Sequence, residues 1–392
     1  MNLSHDNLPI ELARLFEARY GSTPRIFQAP GRVNLIGEHT DYNDGFVMPA
    51  AIDFHTWVAA TKRDDTRLVM CSTQFKDSVE IELENPEPKP QRHWSDYVHG
   101  VAIQLQMAGF KIGGTNLALS GNVPIGAGVS SSASVEVACA FALASLYADC
   151  PDRMQLAKVC QRAENEFVGA RCGIMDQFVS ANGRDGHALM LDCRSLKYEL
   201  LPIPPGVSLV ICNTMVKHQI ASGEYNVRRQ QCEQGVKSLR ARLPGIQALR
   251  DVSLGDLLAN AEVLDPTIFR RCRHVVTENE RLLKAASALR ENDLRRFGEL
   301  MYASHKSLRD DYEVSCPELD LMVSLASGAI GVFGARMTGG GFGGCTINLV
   351  ENDFVEPFKR TIETGYQQQT GIRPEVFVTK ASDGVSEVPL NL

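Results

Sequence analysis

The sequence has no long apolar run, and this absence excludes a membrane-spanning protein of the helical kind. Its uninterrupted apolar stretches are far shorter than the roughly 20 residues that a transmembrane helix needs. The segment Met1–Asp6 also lacks the basic start and the apolar block of a secretory signal. We therefore expect a protein that neither spans nor crosses a membrane.

Paired cysteines and excess positive charge are also missing. None of the 11 cysteines forms a CxxC pair, and no Cys–His cluster has the spacing of a zinc site. Scattered thiols of this kind are typical of a reducing compartment, so we expect a cytoplasmic protein. The net charge of -7 argues against nucleic acid or an anionic membrane as the main partner. A small anionic ligand remains possible, because it needs only a local cluster of donors.

The 44% hydrophobic and 22% charged residues are ordinary for a globular protein, and 392 residues predict two domains. Strand-like and helix-like patterns alternate in both halves, which indicates an α+β fold with a boundary between residues 180 and 205. Strands are predicted at 25–29, 46–62, 68–73, 79–83 and 207–213. A helix is predicted where Trp94, Tyr97, Val98, Val101 and Leu105 form one apolar stripe at helical spacing. Further helices are predicted at 133–148, after a cap at Asp152, and through 228–242 and 278–311.

The first chemical motif is the segment Gly31–Gly45, which contains an Arg, a His, three carboxylates and two Asn. Carboxylates and amides can hydrogen-bond to the neighbouring hydroxyls of a sugar. A solvated loop with turn-forming Asn, Asp and Gly explains the same composition slightly better when it is taken alone.

The second motif is the glycine-rich turn Gly126–Ser132, which precedes an apolar helix. Glycines allow a phosphate to approach the backbone, and the start of a helix favours an anion. The segment has no Gly-Lys-Ser/Thr ending, so it is not a Walker A loop. A helix capped by serine is an equally good interpretation.

Two carboxylates and a second glycine cluster complete the set. Glu164 borders an apolar helical stripe, and Asp176 lies among apolar neighbours. Glu164 is either an edge residue or a metal ligand. Asp176 is either a buried carboxylate that has a partner or, as its position taken alone favours, an N-cap. The cluster Gly339–Gly344 predicts a tight loop that leads into a strand, and a nucleotide or sugar could approach it closely.

These motifs in this order resemble the GHMP kinase superfamily and, within it, the galactokinase family. The resemblance covers nearly the whole chain, and Val129 is a small departure because the family usually has Leu there. It implies a two-domain GHMP kinase fold: residues 1–190 would form an N-terminal sugar- and ATP-binding domain with a left-handed βαβ crossover (ribosomal S5 domain 2-like). Residues 191–392 would form a ferredoxin-like C-terminal domain, with the active site in the cleft.

The same resemblance implies ATP-dependent phosphorylation of the C1 hydroxyl of D-galactose to α-D-galactose 1-phosphate, the first committed step of the Leloir pathway. Asp176 would be the general base and Arg32 would stabilise the transferring phosphoryl group. The substrate-binding set would be Glu38, His39, Thr40, Asp41, Gly173, Asp176 and Tyr225. ATP would lie on Gly126, Ala127, Gly128, Val129, Ser130, Ser131 and Ser132, and Mg²⁺ on Ser132 and Glu164.

Two rival functions stay open at this point. The first is a related sugar 1-kinase that acts on N-acetylgalactosamine, arabinose or another sugar. The second is a non-catalytic galactose and ATP sensor, which the complete serine loop and the presence of both Arg32 and Asp176 disfavour. We expect D-galactose and Mg-ATP as ligands and a monomer, since no motif indicates an assembly.

Overall fold

The computed structural model describes residues 7–85, 88–148, 151–217 and 221–390. These residues form eleven α-helices: α1 (Leu8–Tyr20), α2 (Ser95–Met107), α3 (Ser131–Tyr147), α4 (Arg153–Arg162), α5 (Met175–Asn182), α6 (Ala221–Leu239), α7 (Leu254–Ala259), α8 (Pro266–Arg290), α9 (Leu294–Ser307), α10 (Pro317–Ser327) and α11 (Val355–Thr370). They also form thirteen strands: β1 (Arg25–Asn34), β2 (Phe46–Val47), β3 (Pro49–Lys62), β4 (Arg67–Ser72), β5 (Asp77–Glu82), β6 (Thr115–Gly121), β7 (His187–Asp192), β8 (Tyr198–Pro202), β9 (Val207–Lys217), β10 (Val332–Thr338), β11 (Gly343–Glu351), β12 (Glu375–Thr379) and β13 (Ser386–Val388). Within these ranges, no helix is both long and apolar enough to span a lipid bilayer.

The first half of the chain is built on a six-stranded sheet with the order β13-β1-β3-β6-β4-β5. Neighbouring strands are antiparallel except for β4 and β6, which run parallel and are joined through β5 and α2. This connection supplies the expected βαβ unit. Helix α3 lies in the core beside α2, α4, α5 and the sheet, which explains why its sequence is apolar on every side.

The second half contains an antiparallel four-stranded sheet with the order β10-β11-β9-β12. The elements follow one another as strand, helices, strand, strand, helix, strand, which is the ferredoxin-like arrangement. Helices α10 and α11 pack on one face of this sheet through residues such as Met322, Phe358 and Ile362. The expected α+β fold with a ferredoxin-like second domain is confirmed.

One apolar cluster joins the two halves. Val33 and Ile36, from the first half, lie in the same buried cluster as Leu282, Leu300 and Ile347 from the second. Dense apolar packing resists small displacements. Groups on the two walls of the cleft are therefore held in a fixed relation to each other.

The predicted division between residues 190 and 191 stays a prediction, and two features cross it. Strand β7 contains that position and forms a small sheet with β2 and β8. Strand β13 returns from the second half to pair with β1, where Ile26 lies opposite Val388.

Most predicted elements are present, but the helical stretch 278–311 is interrupted. Helix α8 ends at Arg290, Asn292 adopts a left-handed φ of 58°, and the Asp293 carboxylate caps α9 by accepting from the Arg296 N–H at 2.9 Å. Charged residues continue through this break, so the pattern gave no sign of it. The predicted cap at Asp152 is confirmed, because its carboxylate accepts from the Met154 N–H at 2.7 Å.

Candidate functional site

The segment that follows β1 is held in place by helix α8 of the second half. The Gly37 N–H donates to Glu278 Oε1 at 2.9 Å, and the Phe46 N–H donates to Asn279 Oδ1 at 2.9 Å. Burial opposes ionisation of Glu278, but Arg281, His274, Arg336 and Ser304 together outweigh it and lower the pKa of Glu278 to about 2. A buried carboxylate of helix α8 thus fixes the loop that carries the first motif.

Arg32 and Asp176 form a forked ion pair, although they are 144 positions apart. Arg32 Nε donates to Asp176 Oδ1 at 2.8 Å and Nη2 donates to Oδ2 at 2.6 Å. The third nitrogen, Nη1, donates to the Gly128 carbonyl at 2.6 Å, and the Ser130 hydroxyl donates to Asp176. Burial alone would lower the pKa of Arg32, but Asp176, with Glu38 and Asp41, outweighs burial and raises that pKa. The guanidinium therefore connects the carboxylate with the glycine-rich turn.

The alternative roles that the sequence left open for Asp176 and Ser130 are not those observed. Asp176 is the second residue of α5, and the N-cap is Ile174. Ser130 is the N-cap of α3 but makes no side-chain capping bond, because its left-handed backbone (φ 59°) directs the hydroxyl to Asp176 instead. Neither side chain caps a helix, and the two are hydrogen-bonded to each other instead.

Asp41 and Gly173 touch across the entrance to a small cavity. A Cβ on Gly173 would lie 1.9 Å from Asp41 Oδ2, so only glycine fits. Burial, followed by repulsion from Asp176, raises the pKa of Asp41 to about 7, although its Oδ1 accepts from the Tyr42 N–H at 3.0 Å. Such a carboxylate is short of donors, and a ligand hydroxyl could supply one.

Glu38 and His39 continue this wall. Glu38 Oε2 accepts from Arg336 Nη2 at 2.7 Å and from Asn34 Nδ2 at 2.9 Å, while Oε1 accepts from the Gly339 N–H at 2.9 Å. His39 is buried, its Nδ1 lies 2.8 Å from the Tyr42 hydroxyl, and its Nε2 has no partner among the described residues. An unpartnered ring nitrogen on a cavity wall indicates a polar ligand.

The cavity has a volume of about 170 Å³ and brings together seven of the eight predicted catalytic and substrate-binding residues. These are Arg32, Glu38, His39, Asp41, Gly173, Asp176 and Tyr225. Gly339 and Gly340 of the second half also line it. Thr40 is not among the lining residues: it is fully buried and its hydroxyl contacts the Gly37 and Phe46 carbonyls. The predicted contact of Thr40 with the substrate stays a prediction. In the structure the Thr40 hydroxyl is hydrogen-bonded within its own loop.

The glycine-rich turn Gly126–Ser132 runs between this cavity and the start of α3. The Ala127 and Val129 side chains are buried, and the Val129 carbonyl accepts from the Arg32 N–H at 3.0 Å. Gly128 has a left-handed backbone, and a Cβ on Gly339 would lie 2.9 Å from its carbonyl oxygen. The two glycine loops of the sequence therefore meet at one point, beside Arg32.

A second cavity of about 150 Å³ lies on the other side of that turn, and sequence reasoning missed it. Its wall contains Phe75, Trp94 and Tyr97 beside Ser131 and Ser132. The Phe75 and Trp94 rings are nearly parallel, at an interplanar angle of 3°. The only signal in the sequence was an apolar stripe at helical spacing. Such a stripe belongs to a hydrophobic core far more often than to a binding site.

Glu164 lies in a π-helical turn, Ala163–Val168, that extends α4. Such turns recur at functional sites because they redirect a side chain out of the helical pattern. Burial, and then repulsion from Asp176, raises the pKa of Glu164, while Cys172 and Gln177, which both donate to Glu164 Oε2, oppose the shift. The carboxylate is nearly buried, and no Lys, Arg or His of the described residues forms an ion pair with it.

Behind Glu164 lies a second buried carboxyl group. Gln177 Nε2 donates to Glu164 Oε2 at 2.5 Å and to Glu136 Oε2 at 3.0 Å, while Glu136 Oε1 has no partner among the described residues. Burial, reinforced by Glu164, raises the pKa of Glu136 well above its usual value of 4.5. In the sequence, Glu136 stands out only as the single charged residue between Ala133 and Ala148.

Glu136→Gln is expected to stabilise the protein at high pH. Because the pKa of Glu136 is higher in the folded state, the unfolded chain loses this proton first, and the stability of the native state falls as pH rises above about 4.5. The variant avoids that loss. Its Tm should exceed the wild-type value by roughly 1–3 °C at pH 8 and match it at pH 4.5. Thermal melts at both pH values, with the exposed Glu166→Gln as control, test this; a lower Tm at pH 8 would contradict it.

Comparisons with known proteins agree with this geometry. Residues 14–62 match the galactokinase galactose-binding signature, 96–184 the GHMP kinase N-terminal domain and 285–357 the GHMP kinase C-terminal domain. Galactokinase from Roseiflexus sp. (strain RS-1) is 45% identical over 96% of this chain and 97% of its own. Galactokinase from Chloroflexus aggregans is 48% identical over 95% of both chains.

Solved structures give the same result. Lactococcus lactis galactokinase complexed with galactose has a TM-score of 0.93 and 38% identity, over 97% of this chain and 99% of that one. Methanococcus jannaschii mevalonate kinase, at 18% identity and a TM-score of 0.66 over 93% and 100%, shares the fold alone. With three matched segments in order and full-length relatives at this identity, the chain belongs to the galactokinase family of the GHMP kinases.

Proposed function

We propose that the protein transfers the γ-phosphoryl group of ATP to the C1 hydroxyl of D-galactose, giving α-D-galactose 1-phosphate and ADP. The observation that carries this proposal is the forked Arg32–Asp176 pair, which lies where the small polar cavity meets the glycine-rich turn. A hydroxyl in the cavity and a phosphate on the turn would approach each other beside this pair.

Asp176 and Arg32 have different roles in this transfer. The C1 oxygen forms a bond to the γ-phosphorus, the bond to the ADP oxygen breaks, and the hydroxyl proton passes to Asp176. An ionised carboxylate is a weak base, but a loose transition state requires little proton abstraction early. Arg32 stabilises charge on the phosphoryl oxygens, and its contact with the Gly128 carbonyl fixes the guanidinium against the phosphate-binding turn.

The sugar is recognised by the polar wall of the small cavity. Asp41 is the acceptor we assign to the axial C4 hydroxyl, since the Gly173 contact fixes its carboxylate. His39 supplies a free ring nitrogen, and Glu38 is immobilised by three hydrogen bonds. Tyr225 packs against His39 at a centroid distance of 5.6 Å and closes the pocket.

ATP lies along the glycine-rich turn in this proposal. The backbone of Gly126–Ser132 cradles the triphosphate near the start of α3, where helix N–H groups are free. The neighbouring aromatic cavity suits the adenine base, because Phe75, Trp94 and Tyr97 provide a flat apolar surface beside Ser131 and Ser132, the last residues of the turn.

Ser132 and Glu164 fit a magnesium ion. Among the residues the structure describes, no group of three or more His, Cys, Asp or Glu side chains could hold a metal by itself. Mg²⁺ is suited to such a sparse set, because it keeps several waters and takes substrate phosphates as further ligands. Glu164 is a nearly buried carboxylate that forms no ion pair with a described residue, and the Ser132 hydroxyl lies close enough to oppose the rise of its pKa. A bound Mg²⁺ would neutralise charge on the phosphates.

Glu164→Gln is expected to raise the Mg²⁺ concentration for half-maximal activity by at least about tenfold, since the neutral amide is a poor ligand. The KM for galactose should change little. A magnesium titration of the initial rate measures this, and Glu166→Gln, exposed in the same π-helical turn, is the matched control. A titration identical to that of the wild type would count against the ligand role.

The function itself is tested by ADP release with Mg-ATP across galactose, glucose, talose, 2-deoxygalactose, N-acetylgalactosamine and arabinose. Strong activity with galactose and little with glucose supports the proposal and shows that the C4 hydroxyl is read. Preference for another sugar would mean that the protein is a related sugar 1-kinase with a different substrate. Binding of galactose and ATP without turnover would indicate a sensor.

The cytoplasmic location, the monomeric state and the absence of a nucleic-acid partner stay predictions from the sequence.

A further inference from the structure

The two side chains that the proposed function assigns to Mg²⁺ come from different elements. Ser132 is the second residue of α3, and Glu164 lies in the π-helical turn that extends α4. The local chain does not fix the distance between them, because they are far apart in the sequence. A site with only two protein ligands therefore depends on contacts that hold these two elements in place.

Gln177 makes such a contact from a third element. It follows Asp176 in α5 and is fully buried. Its Nε2 donates to Glu164 Oε2 at 2.5 Å and to Glu136 Oε2 at 3.0 Å. Glu136 comes four residues after Ser132 in α3, and residues at this spacing lie on the same face of a helix. One amide thus joins the π-helical turn to the face of α3 that carries Ser132.

The orientation of this amide follows from the chemistry of its two partners. An NH₂ group carries two protons and can donate to two carboxyl groups at once, whereas an amide oxygen can only accept. A carboxylate that binds a metal is ionised, so Glu164 has no proton to offer. Its Oε2 can therefore meet only the Nε2 end of Gln177. The amide oxygen, at the other end, has no partner among the described residues.

Gln177 and Cys172 both meet the same oxygen of Glu164. Cys172 Sγ lies 3.5 Å from Oε2 and only 3.2 Å from Asn165 Oδ1, so the thiol is the weaker donor to Glu164. Oε1 is the oxygen that neither of them occupies. At metal sites, a hydrogen bond to a ligating carboxylate fixes the orientation in which it meets the metal. The short contact from Gln177 is suited to this task.

We propose that Gln177 is a positioning residue for the Mg²⁺ site: its amide holds the Glu164 carboxylate and, through Glu136, sets the position of that carboxylate relative to Ser132. The inference rests on the proposed function for the identity of the two ligands. It goes further, because it gives a fully buried residue that lines neither cavity a part in how tightly the metal is held.

The first test measures how much Mg²⁺ tightens the binding of a non-hydrolysable ATP analogue. Calorimetric titrations of the analogue with Mg²⁺ and with EDTA give this tightening without any turnover. Gln177→Met keeps the length of the side chain and removes the donor, so the tightening should fall roughly ten- to a hundredfold, the usual cost of losing such a partner. Binding in EDTA should match the wild type, because the glycine-rich turn is unchanged. Equal tightening in Gln177→Met and the wild type would overturn the proposal.

Gln104→Met is the matched control. Gln104 is also a buried amide, at 3% exposure, and its Nε2 donates at 2.8 Å to Oε2 of Glu166, which lies in the same π-helical turn but is exposed and lines neither cavity. This variant should show the wild-type tightening. A similar loss in both variants, or a loss in Gln177→Met that is as large in EDTA as with Mg²⁺, would show a merely structural role and overturn the inference.

A double-mutant cycle tests whether Gln177 acts through Glu164. Glu164→Gln should reduce the tightening by itself, and Gln177→Met should reduce it little further in that background, since the carboxylate that the amide holds is gone. Losses that simply add would overturn the proposal. In steady-state kinetics, high Mg²⁺ should restore nearly the wild-type kcat to Gln177→Met, and the KM for galactose should not change.

A second pair of variants serves if Gln177→Met does not fold. Glu136→Met removes the acceptor on α3 and should reduce the tightening, whereas Glu136→Gln keeps an acceptor for the Gln177 amide and should not. Equal tightening in these two variants would overturn the inference. A wild-type protein whose binding of the analogue does not respond to Mg²⁺, or a Glu164→Gln variant without effect, would instead contradict the metal ligands of the proposed function.

Discussion

Asp176→Asn is expected to lower kcat by at least about a hundredfold while the KM for galactose changes little. A carboxamide keeps the shape of the side chain but cannot take the hydroxyl proton, and loss of general base catalysis costs at least this much. The variant also leaves Arg32, which is 5% exposed, facing a neutral group where it had a forked ionic partner. Both effects fall on the transition state rather than on sugar binding. Steady-state kinetics together with calorimetric titration of galactose measure the two separately.

A matched control is available for the ion pair itself. Asp65 accepts from Arg63 Nε at 2.8 Å and from Nη2 at 2.6 Å, the same distances as in the Arg32–Asp176 fork, but it lies outside both cavities. Asp65→Asn should therefore leave kcat unchanged. If Asp176→Asn turned over galactose at a rate close to the wild type, Asp176 would have no part in the chemistry.

Gly173→Ala is expected to weaken galactose binding by roughly ten- to a hundredfold, the worth of a hydrogen bond to a charged group. The new methyl would lie 1.9 Å from Asp41 Oδ2 and 2.1 Å from Cγ, so the Asp41 side chain must move away from the cavity. Binding of ATP should be preserved, because the glycine-rich turn is not touched. Galactose titration by calorimetry and binding of a fluorescent ATP analogue measure the two effects.

Gly223→Ala serves as the control for this substitution. Gly223 lies in helix α6, two residues before Tyr225, and a Cβ there meets no other atom within 4 Å. Alanine is favourable inside a helix, so this variant should bind galactose like the wild type. Normal galactose affinity in Gly173→Ala would mean that Asp41 can leave its position without cost to the sugar site.

Those parts of the site that lie within a short segment could be predicted from the sequence. Arg32, Glu38 and Asp41 come from one short segment, and Gly126–Ser132 is another, so their residue types and order were visible together. The resemblance to a known family then assigned Asp176, which composition alone would have left as an N-cap. The structure places these groups around one cavity, as expected.

The supports of the site could not be predicted, because they come from distant positions and ordinary residue types. Glu278 and His274 look like the polar face of a charged helix, yet they hold the backbone at Gly37 and Glu38, which lies more than 230 positions away. Trp94 was predicted as part of a helical stripe, and only the fold brings it beside Phe75. The spacing of apolar residues in the sequence gives no information about such a contact.

The pairing of β13 with β1 has a consequence for how the protein is made. Ser386 contacts Gln28, which is synthesised 358 residues earlier. Domains generally fold as the chain leaves the ribosome. One edge of β1 therefore stays unpaired until β13 has been synthesised, near the end of translation. The first sheet is therefore completed only after the second domain has been synthesised. A truncated chain would expose that strand edge to other copies, so incomplete translation products of this protein should aggregate rather than accumulate as a folded first domain.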